Sequence, residues 1–315
     1  MNKKKIDLRD AYFNGLFALI KRHKDVMVLT ADHGAFGLNR IKEIYPSQYL
    51  NVGIAEQNMV SVAAGLALSG KTVYIYSIIN FVTIRCLEQI SIDIASMNLN
   101  VNIIGVGAGF TYSTDGPTHH GTQDIAIMSA IPNFSIYNCS DKNNTEVFSK
   151  LGYYEKGPKY FRIEKGIMPN LYDKKNKFEE GLSKIRTGDG LCILSTGLLI
   201  HKILEIVDSL IFRNQNIGVI DLYRIKPIND LLLITLLKKT KKLLIIEDNI
   251  ASGGLGEKIS SIILENNLNV IVKKISIDDS YIFNYNNKRD LVEDFSGLGS
   301  NVIMENIKKL LINCN

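Results

Sequence analysis

The sequence predicts an α/β protein made of two doubly wound domains, and three observations carry that expectation. At 315 residues the chain is long enough to bury two separate cores. Short apolar runs of strand length alternate with longer helical patterns, which is how parallel βαβ units read in sequence. The composition changes over residues 166–181, where Gly166, Pro169, Asn170 and the charged run from Asp173 to Lys177 suit an exposed linker. The expected division is a first domain over 1–165, a linker over 166–181 and a second domain over 182–315.

Val26 to Thr30 is an apolar, β-branched run that predicts a strand ending in Ala31, Asp32, His33 and Gly34. Gly53 to Ser69 predicts a helix that is small or apolar almost all round, closed by Gly70 as its C-cap. Thr72 to Tyr76, Val101 to Val106 and Phe134 to Tyr137 predict further buried strands, with Phe81 to Ala95 as a helix between the first two. That helix carries Arg85, Glu88 and Asp93. Beyond the linker the alternation restarts, with Leu191 to Ser195 as strand, a helix running through Leu210, then strands at Ile217 to Ile220 and Leu243 to Ile246. Asp248 to Gly256 is expected to open the next helix. There is no internal repeat and no low-complexity tract.

Bulk properties exclude several classes. A net charge of +5 with dispersed lysines argues against nucleic-acid binding, and Lys3 to Lys5 and Lys238 to Lys242 read as solvated ends. Cys86, Cys139, Cys192 and Cys314 stand far apart with no CxxC pair, which suits reduced, buried thiols of a cytoplasmic protein. The segment from Ile6 to Asp10 lacks the apolar core of a signal peptide, and no run approaches the roughly 20 apolar residues that cross a bilayer.

Three glycine motifs could suggest a phosphate or metal site. Gly105-Val-Gly107-Ala-Gly109 follows a strand but lacks full dinucleotide spacing and opens no helix. Ser252 to Gly256 precedes a helix without a P-loop lysine, so tight packing explains its glycines better. Gly188-Asp189-Gly190, with Asn214 and Asn216 beyond it, has the spacing of a thiamine-diphosphate magnesium site. It precedes a strand rather than closing one, so a tight turn is the better reading.

Two further stretches carry chemistry. Asn51-Val-Gly-Ile-Ala-Glu56-Gln57-Asn-Met59 sets one carboxylate at the start of a small-residue helix. Asp115-Gly-Pro-Thr-His119-His120-Gly121 packs an acid and two imidazoles into a Gly/Pro turn that cannot be helical. Together, on a chain with no convincing phosphate loop, they suggest half of an active site.

These motifs, in order, resemble the C-terminal portion of the transketolase family and the matching part of deoxyxylulose-phosphate synthase. The resemblance rests on Arg9, Thr30-Ala-Asp32, Asn51 to Gln57, Phe81 to Arg85, Asp115 to His119, Gly157 to Arg162, Ile220 to Pro227 and Glu247 to Gly256. It implies a thiamine-diphosphate pyrimidine-binding fold followed by a transketolase C-terminal-like domain. The family's first domain, which binds diphosphate and magnesium, is not matched. A partner chain of the N-terminal transketolase type is therefore implied, with this chain as a homodimer in an α2β2 assembly.

The same resemblance implies roles. Glu56 would hydrogen-bond the pyrimidine nitrogen of thiamine diphosphate. Burial opposes ionisation of such a carboxyl while a helix N-terminus favours it, and the sequence leaves that balance open. Phe81 would pack on the pyrimidine, and Arg85 would sit at the cofactor or interface end of its helix unless it pairs with Glu88. Asp32 would lie near the cofactor with His33 beside it. Asp115 and His119 would meet the donor hydroxyls and assist proton transfer, with His120 a second proton-transfer group or a space filler. Arg9 and Arg162 would grip a sugar phosphate. Glycines stand near Gly107 where transketolases carry a phosphate-contacting His, which points away from the usual phosphorylated acceptor.

The implied activity is transfer of a two-carbon ketol unit between sugars, either sugar phosphates or an unusual glycan precursor. The alternatives are a deoxyxylulose-phosphate-synthase-like or 2-oxoacid-dehydrogenase beta-type subunit and, from another class, a non-catalytic assembly subunit.

Overall fold

The computed structural model describes residues 6–173, 175–209, 211–283 and 288–312. Lys3 to Lys5, Cys314 and Leu210 lie outside the described residues. The chain divides into two compact units: Met1–Ala108 with Ile127–Asn176, and Gly109–Ala126 with Lys177–Asn315. The Asp115–Gly121 stretch, flanked on both sides in sequence by the first unit, thus packs within the second.

In the first unit the strands are β1 (Val26–Thr30), β2 (Tyr49–Asn51), β3 (Thr72–Ile78), β4 (Val101–Val106), β5 (Ser135–Asn138) and β6 (Lys159–Ile163). Within this unit they run β5-β6-β4-β3-β1-β2, with every pairing parallel. β3 and β4 are buried at every position, which is why they are largely apolar without alternation, and the buried Asn102 amide donates to the Val73 and Gly152 carbonyls at 3.3 and 3.0 Å. The chain leaves β1 to form β2 on one side, then returns to form β3 on the other. Strand order reverses there, so the loops after all three strands meet at one carboxyl edge, the usual ligand crevice of such sheets.

The helices are α1 (Leu8–Ile20), α2 (Phe36–Ile44), α3 (Glu56–Leu68), α4 (Ile79–Val82), α5 (Leu87–Gln89), α6 (Asp124–Ala130) and α7 (Lys142–Tyr154). Asp141 caps α7 with one carboxylate oxygen, and its other oxygen accepts from the N–H groups of Leu171 and Tyr172 at 2.9 and 3.0 Å. The chain beyond β6 is therefore held to the unit before it departs. One expectation fails locally: Phe81–Ala95 is not a single α-helix. α4 ends at Val82, where the Thr83 hydroxyl donates to the Ile79 carbonyl at 2.6 Å. After α5 the chain widens into a π-helical turn over Ile90–Ala95.

The second unit contains β7 (Ser183–Arg186), β8 (Leu191–Ser195), β9 (Ile217–Asp221), β10 (Arg224–Lys226), β11 (Lys242–Ile250) and β12 (Ile271–Ile277). Its five-stranded sheet runs β12-β11-β8-β9-β7, parallel except for β7 against β9. Around it lie α8 (Leu199–Val207), α9 (Asp230–Leu237), α10 (Leu255–Glu265), α11 (Arg289–Phe295) and α12 (Ser300–Ile312). Leu194, Ile220, Leu243 and Ile245 on the sheet pack with Leu233 of α9 and Ile259 of α10. Full burial of such side chains stabilises by about 1.5–3 kcal/mol each. No described helix is long and apolar enough to cross a membrane.

Two motifs resolve here. Gly188-Asp189-Gly190 is a tight turn between β7 and β8, in which a Cβ on Gly188 would collide with the Ile217 backbone. The Asp189 carboxylate pairs with Lys184 at 2.6 Å, and its N–H donates to the Asn216 side chain at 3.0 Å. The helix expected to open at Asp248 starts later, because β11 continues through Ile250. Buried Glu247 accepts from the N–H groups of Leu255 and Gly256 at 2.6 and 2.8 Å, so α10 begins where this carboxylate caps it. The glycines of Ser252–Gly256 make room for that carboxylate: a Cβ on Gly256 would lie 3.1 Å from it.

Burial pushes the Glu247 carboxyl up to about 7, outweighing the two N–H donors and Lys274. The folded state then holds a proton that the unfolded chain releases near the ordinary 4.5. Stability from this group is complete below that value and is lost as pH rises through about 7, on the order of 3 kcal/mol in all. Glu247→Gln is expected to flatten this slope in thermal melts between about pH 5 and 8. Parallel wild-type and variant curves would contradict it.

Candidate active site

The carboxyl edge of the first sheet is organised by Asn51 at the end of β2. Its side-chain oxygen accepts from the N–H groups of Asp32 and Gly53, both at 3.0 Å, and its nitrogen donates to Asp32 Oδ1 at 3.3 Å. Asp32 sits at φ 55° and Gly53 at φ 77°, left-handed conformations that turn both loops sharply. The Thr30 hydroxyl donates to the His33 carbonyl at 2.7 Å, closing the β1 loop, and the His33 ring lies 5.3 Å from Tyr76.

From Gly53 the chain enters α3 with Glu56 as its first helical residue. Glu56 is only 4% exposed, and its carboxylate meets Arg85 Nη1 at 2.7 Å. The Arg85 guanidinium lies 4.1 Å from the Phe81 ring centroid, a cation–π arrangement. Gln57 Nε2 donates to the Arg85 carbonyl at 3.0 Å, anchoring the break between α4 and α5. Burial, then the Glu56 charge, pushes the nearby Cys86 thiol up to about 12, so it is inert at neutral pH. The broken helix is what lets Arg85 turn toward Glu56; Glu88 is not its partner. Glu56, Phe81 and Arg85 thus form one cluster, joined by Gln57, which the motif contained without a signal of its role.

Arg9 and Arg162 are placed differently. Arg9 lies in the first turn of α1, with Nε 3.9 Å from Asp7 and 17% of its side chain exposed. Burial works against its charge, yet Tyr76, Asp7 and Asp10 hold its pKa above the ordinary arginine value. Arg162 is fully buried in β6, flanked in register by Gly105 and Asn138.

In the second unit, Gly109 and Gly121 form a backbone bridge, with N–H to carbonyl distances of 2.8 and 2.9 Å in the two directions. The bridge closes residues 109–121 into a loop with adjacent ends. Gly116 at φ 74° turns it, and its carbonyl accepts from the N–H groups of His119 and His120 at 2.9 and 3.2 Å. Asp115 is exposed. His119 is half-buried, with Nδ1 2.9 Å from the Thr118 hydroxyl. His120 is buried edge-on to Phe110 at 5.0 Å. Burial lowers the His120 pKa and the His119 charge adds to that, against a Ser113 backbone hydrogen bond and Asp115. His120 is accordingly a neutral imidazole at neutral pH. The loop therefore pairs an exposed carboxylate with a reachable imidazole and a sequestered one.

The donors define what each region could hold. A buried carboxylate beside an aromatic face suits a flat heterocycle with a basic ring nitrogen. Among the described residues, no group of three His, Cys, Asp or Glu could hold a metal ion.

Known proteins share this organisation. Residues 4–170 match the family described as the transketolase pyrimidine binding domain, and residues 181–303 match the transketolase C-terminal domain. A "Putative transketolase C-terminal section" from Methanocaldococcus jannaschii is 33% identical over 312 residues, covering 96% of each chain. The B chain of an apulose-4-phosphate transketolase from Phocaeicola vulgatus is 31% identical, covering 89% of this chain and 90% of that one. A solved structure described as a split gene transketolase in an inactive beta4 tetramer superposes with a TM-score of 0.87. It is 26% identical and covers 98% of this chain and 99% of its own.

Arg85→Ala would strand the buried Glu56 carboxylate and is expected to cost about 1–3 kcal/mol, read from urea midpoints at neutral pH. Arg85→Lys should recover part of the loss, whereas an alanine variant as stable as the parent would contradict the pairing.

Proposed function

The chain belongs to the transketolase family, and on that premise we propose that it is the pyrimidine-binding subunit of a two-chain, thiamine-diphosphate-dependent transketolase. Its reaction moves a two-carbon ketol unit from a ketose donor to an aldose acceptor. The observation that carries this reading is the buried Glu56 carboxylate, held by Arg85 beside the Phe81 ring. That donor set fits the aminopyrimidine half of the cofactor. When bound, thiamine diphosphate supplies the centre that stabilises the carbanion of the transferred unit.

Glu56 holds and exchanges a proton at the pyrimidine ring nitrogen. Arg85 fixes the carboxylate's direction and balances its charge, limiting the penalty of burying an anion. Phe81 offers its ring to the pyrimidine, an aromatic contact worth about 0.5–1.5 kcal/mol beyond area burial. Asp32, held by Asn51, lines the same carboxyl edge. His119 and Asp115 exchange protons with the donor carbonyl and hydroxyls, both being accessible in their loop. His120, buried against Phe110, fills space beneath that loop and helps to set its shape. Arg9 is the arginine assigned to an anionic substrate group, since Arg162 has no exposed surface.

Diphosphate and magnesium are assigned to a partner of the N-terminal transketolase type, in an α2β2 assembly. Relatives named as a C-terminal section and as one of a transketolase's separate chains match this chain almost end to end, which supports a split enzyme. The buried free thiols of Cys86, Cys139 and Cys192 suit a reducing, cytoplasmic setting.

Glu56→Gln keeps size and removes the exchangeable carboxyl proton. In the assembled enzyme it is expected to lower turnover by about 10²-fold or more, the range of general acid–base contributions. Unchanged ketol transfer by an intact complex would favour a non-catalytic assembly role instead.

A further inference from the structure

The Asp115–His120 loop is carried by the second unit, at one end of one strand. Gly109, at its base, adopts φ +54°, and a Cβ built there would lie 2.6 Å from Asp248 Oδ2. The loop base therefore rests directly on the Asp248 side chain, which is 2% exposed. Two residues further along β11, the Ile250 N–H donates to the Thr122 carbonyl at 2.9 Å, gripping the other end of the loop. Gln123 Nε2 reaches the Tyr281 hydroxyl at 3.4 Å. Gly253 packs so closely on Ala126 that a Cβ there would lie 3.1 Å from the alanine methyl. The same strand end is locked from behind, because Glu247 caps α10 through two backbone N–H groups. A narrow cleft between Phe110, Pro117 and His120 on the loop and Ser280 and Tyr281 opposite marks the seam.

We propose that the β11 end, Glu247 to Ile250, is the mount that sets the Asp115–His120 loop, with Asp248 as its positioning residue and Tyr281 as an outer brace. This rests on the reading of that loop as proton-transfer apparatus. It gives the second unit a direct part in turnover, exerted through His119 and His120. Asp248 itself touches no substrate. It fixes where the glycine base of the loop lies, and the base fixes the two imidazoles.

The test has two independent readouts on the full-length chain. The first is the ring-proton NMR shifts of its five histidines. The second is ketol transfer after assembly with the partner. Asp248→Ala is expected to move the His119 and His120 signals while His23, His33 and His201 stay in place. Turnover should fall about 10²-fold, the scale of a 1 Å misplacement, with thiamine-diphosphate affinity unchanged. Asp248→Asn, of the same shape, should restore most of both, and Ser261→Ala on the exposed face of α10 should change neither. Folded Asp248→Ala with parental His119 and His120 signals and parental turnover overturns the proposal. If that variant does not fold, Tyr281→Phe decides: a displaced His120 signal supports the mount, and an unmoved one overturns it. Displaced signals in a chain whose parent shows no ketol transfer would leave the mount standing and reject the functional reading.

Discussion

A carboxylate taken out of water needs a compensating charge or donor, and the Glu56–Arg85 pair is how the first unit meets that requirement. Much of the local architecture follows from it. Glu56 can start α3 only because Asn51 and Gly53 turn the chain at the end of β2. Arg85 can reach it only because the helix after β3 breaks at Thr83. An unbroken helix would have aimed Arg85 along the Phe81–Glu88 face. The cation–π contact with Phe81 then orients the guanidinium, which in turn orients the carboxylate. The sheet order is the larger constraint behind this: with β2 and β3 on opposite sides of β1, the three carrying loops converge.

The second unit solves a different problem. Its 109–121 loop has Gly, Pro and exposed polar residues and no core of its own, so its shape must come from elsewhere. Backbone pairing of Gly109 with Gly121 closes it, and the β11 end supports it. The electrostatics differ too. Glu56 has an arginine partner at 2.7 Å, whereas Glu247 accepts from two backbone N–H groups, and burial lifts its pKa despite them and Lys274. One carboxylate is held by a side-chain cation and the other holds a helix start.

How much of this is legible in sequence depends on where the specifying interactions lie. Val26–Thr30, Val101–Val106 and Leu191–Ser195 match the observed strands because central parallel strands are buried on both faces and leave largely apolar runs without alternation. β6 carries Lys159 and Arg162, both buried, so it does not read as a core strand. Lys159 is tolerated because its amine donates to the carbonyls of Glu155 and Gly157, each at 2.7 Å. β12, at the sheet edge, buries only Ile275 and Ile277 and leaves Ile271, Lys273 and Lys274 exposed, so it lacks the uninterrupted burial of the central strands. In the candidate site, Glu56 and Phe81 are legible from local pattern. The partner of Arg85 is not, because that contact spans 29 residues and depends on a helix break that propensity does not announce. Gly188-Asp189-Gly190 reads correctly as a turn, since a strand follows it directly.

The central claim is that this chain supplies the pyrimidine half of a shared thiamine-diphosphate site. The most direct measurement is a calorimetric titration of thiamine diphosphate with magnesium into this chain, into the N-terminal-type partner, and into their mixture. A shared site predicts tight, stoichiometric binding in the mixture and weak binding to this chain alone, with the gain reduced by Glu56→Gln. Equally tight, metal-dependent binding to this chain alone, untouched by that substitution, would contradict it.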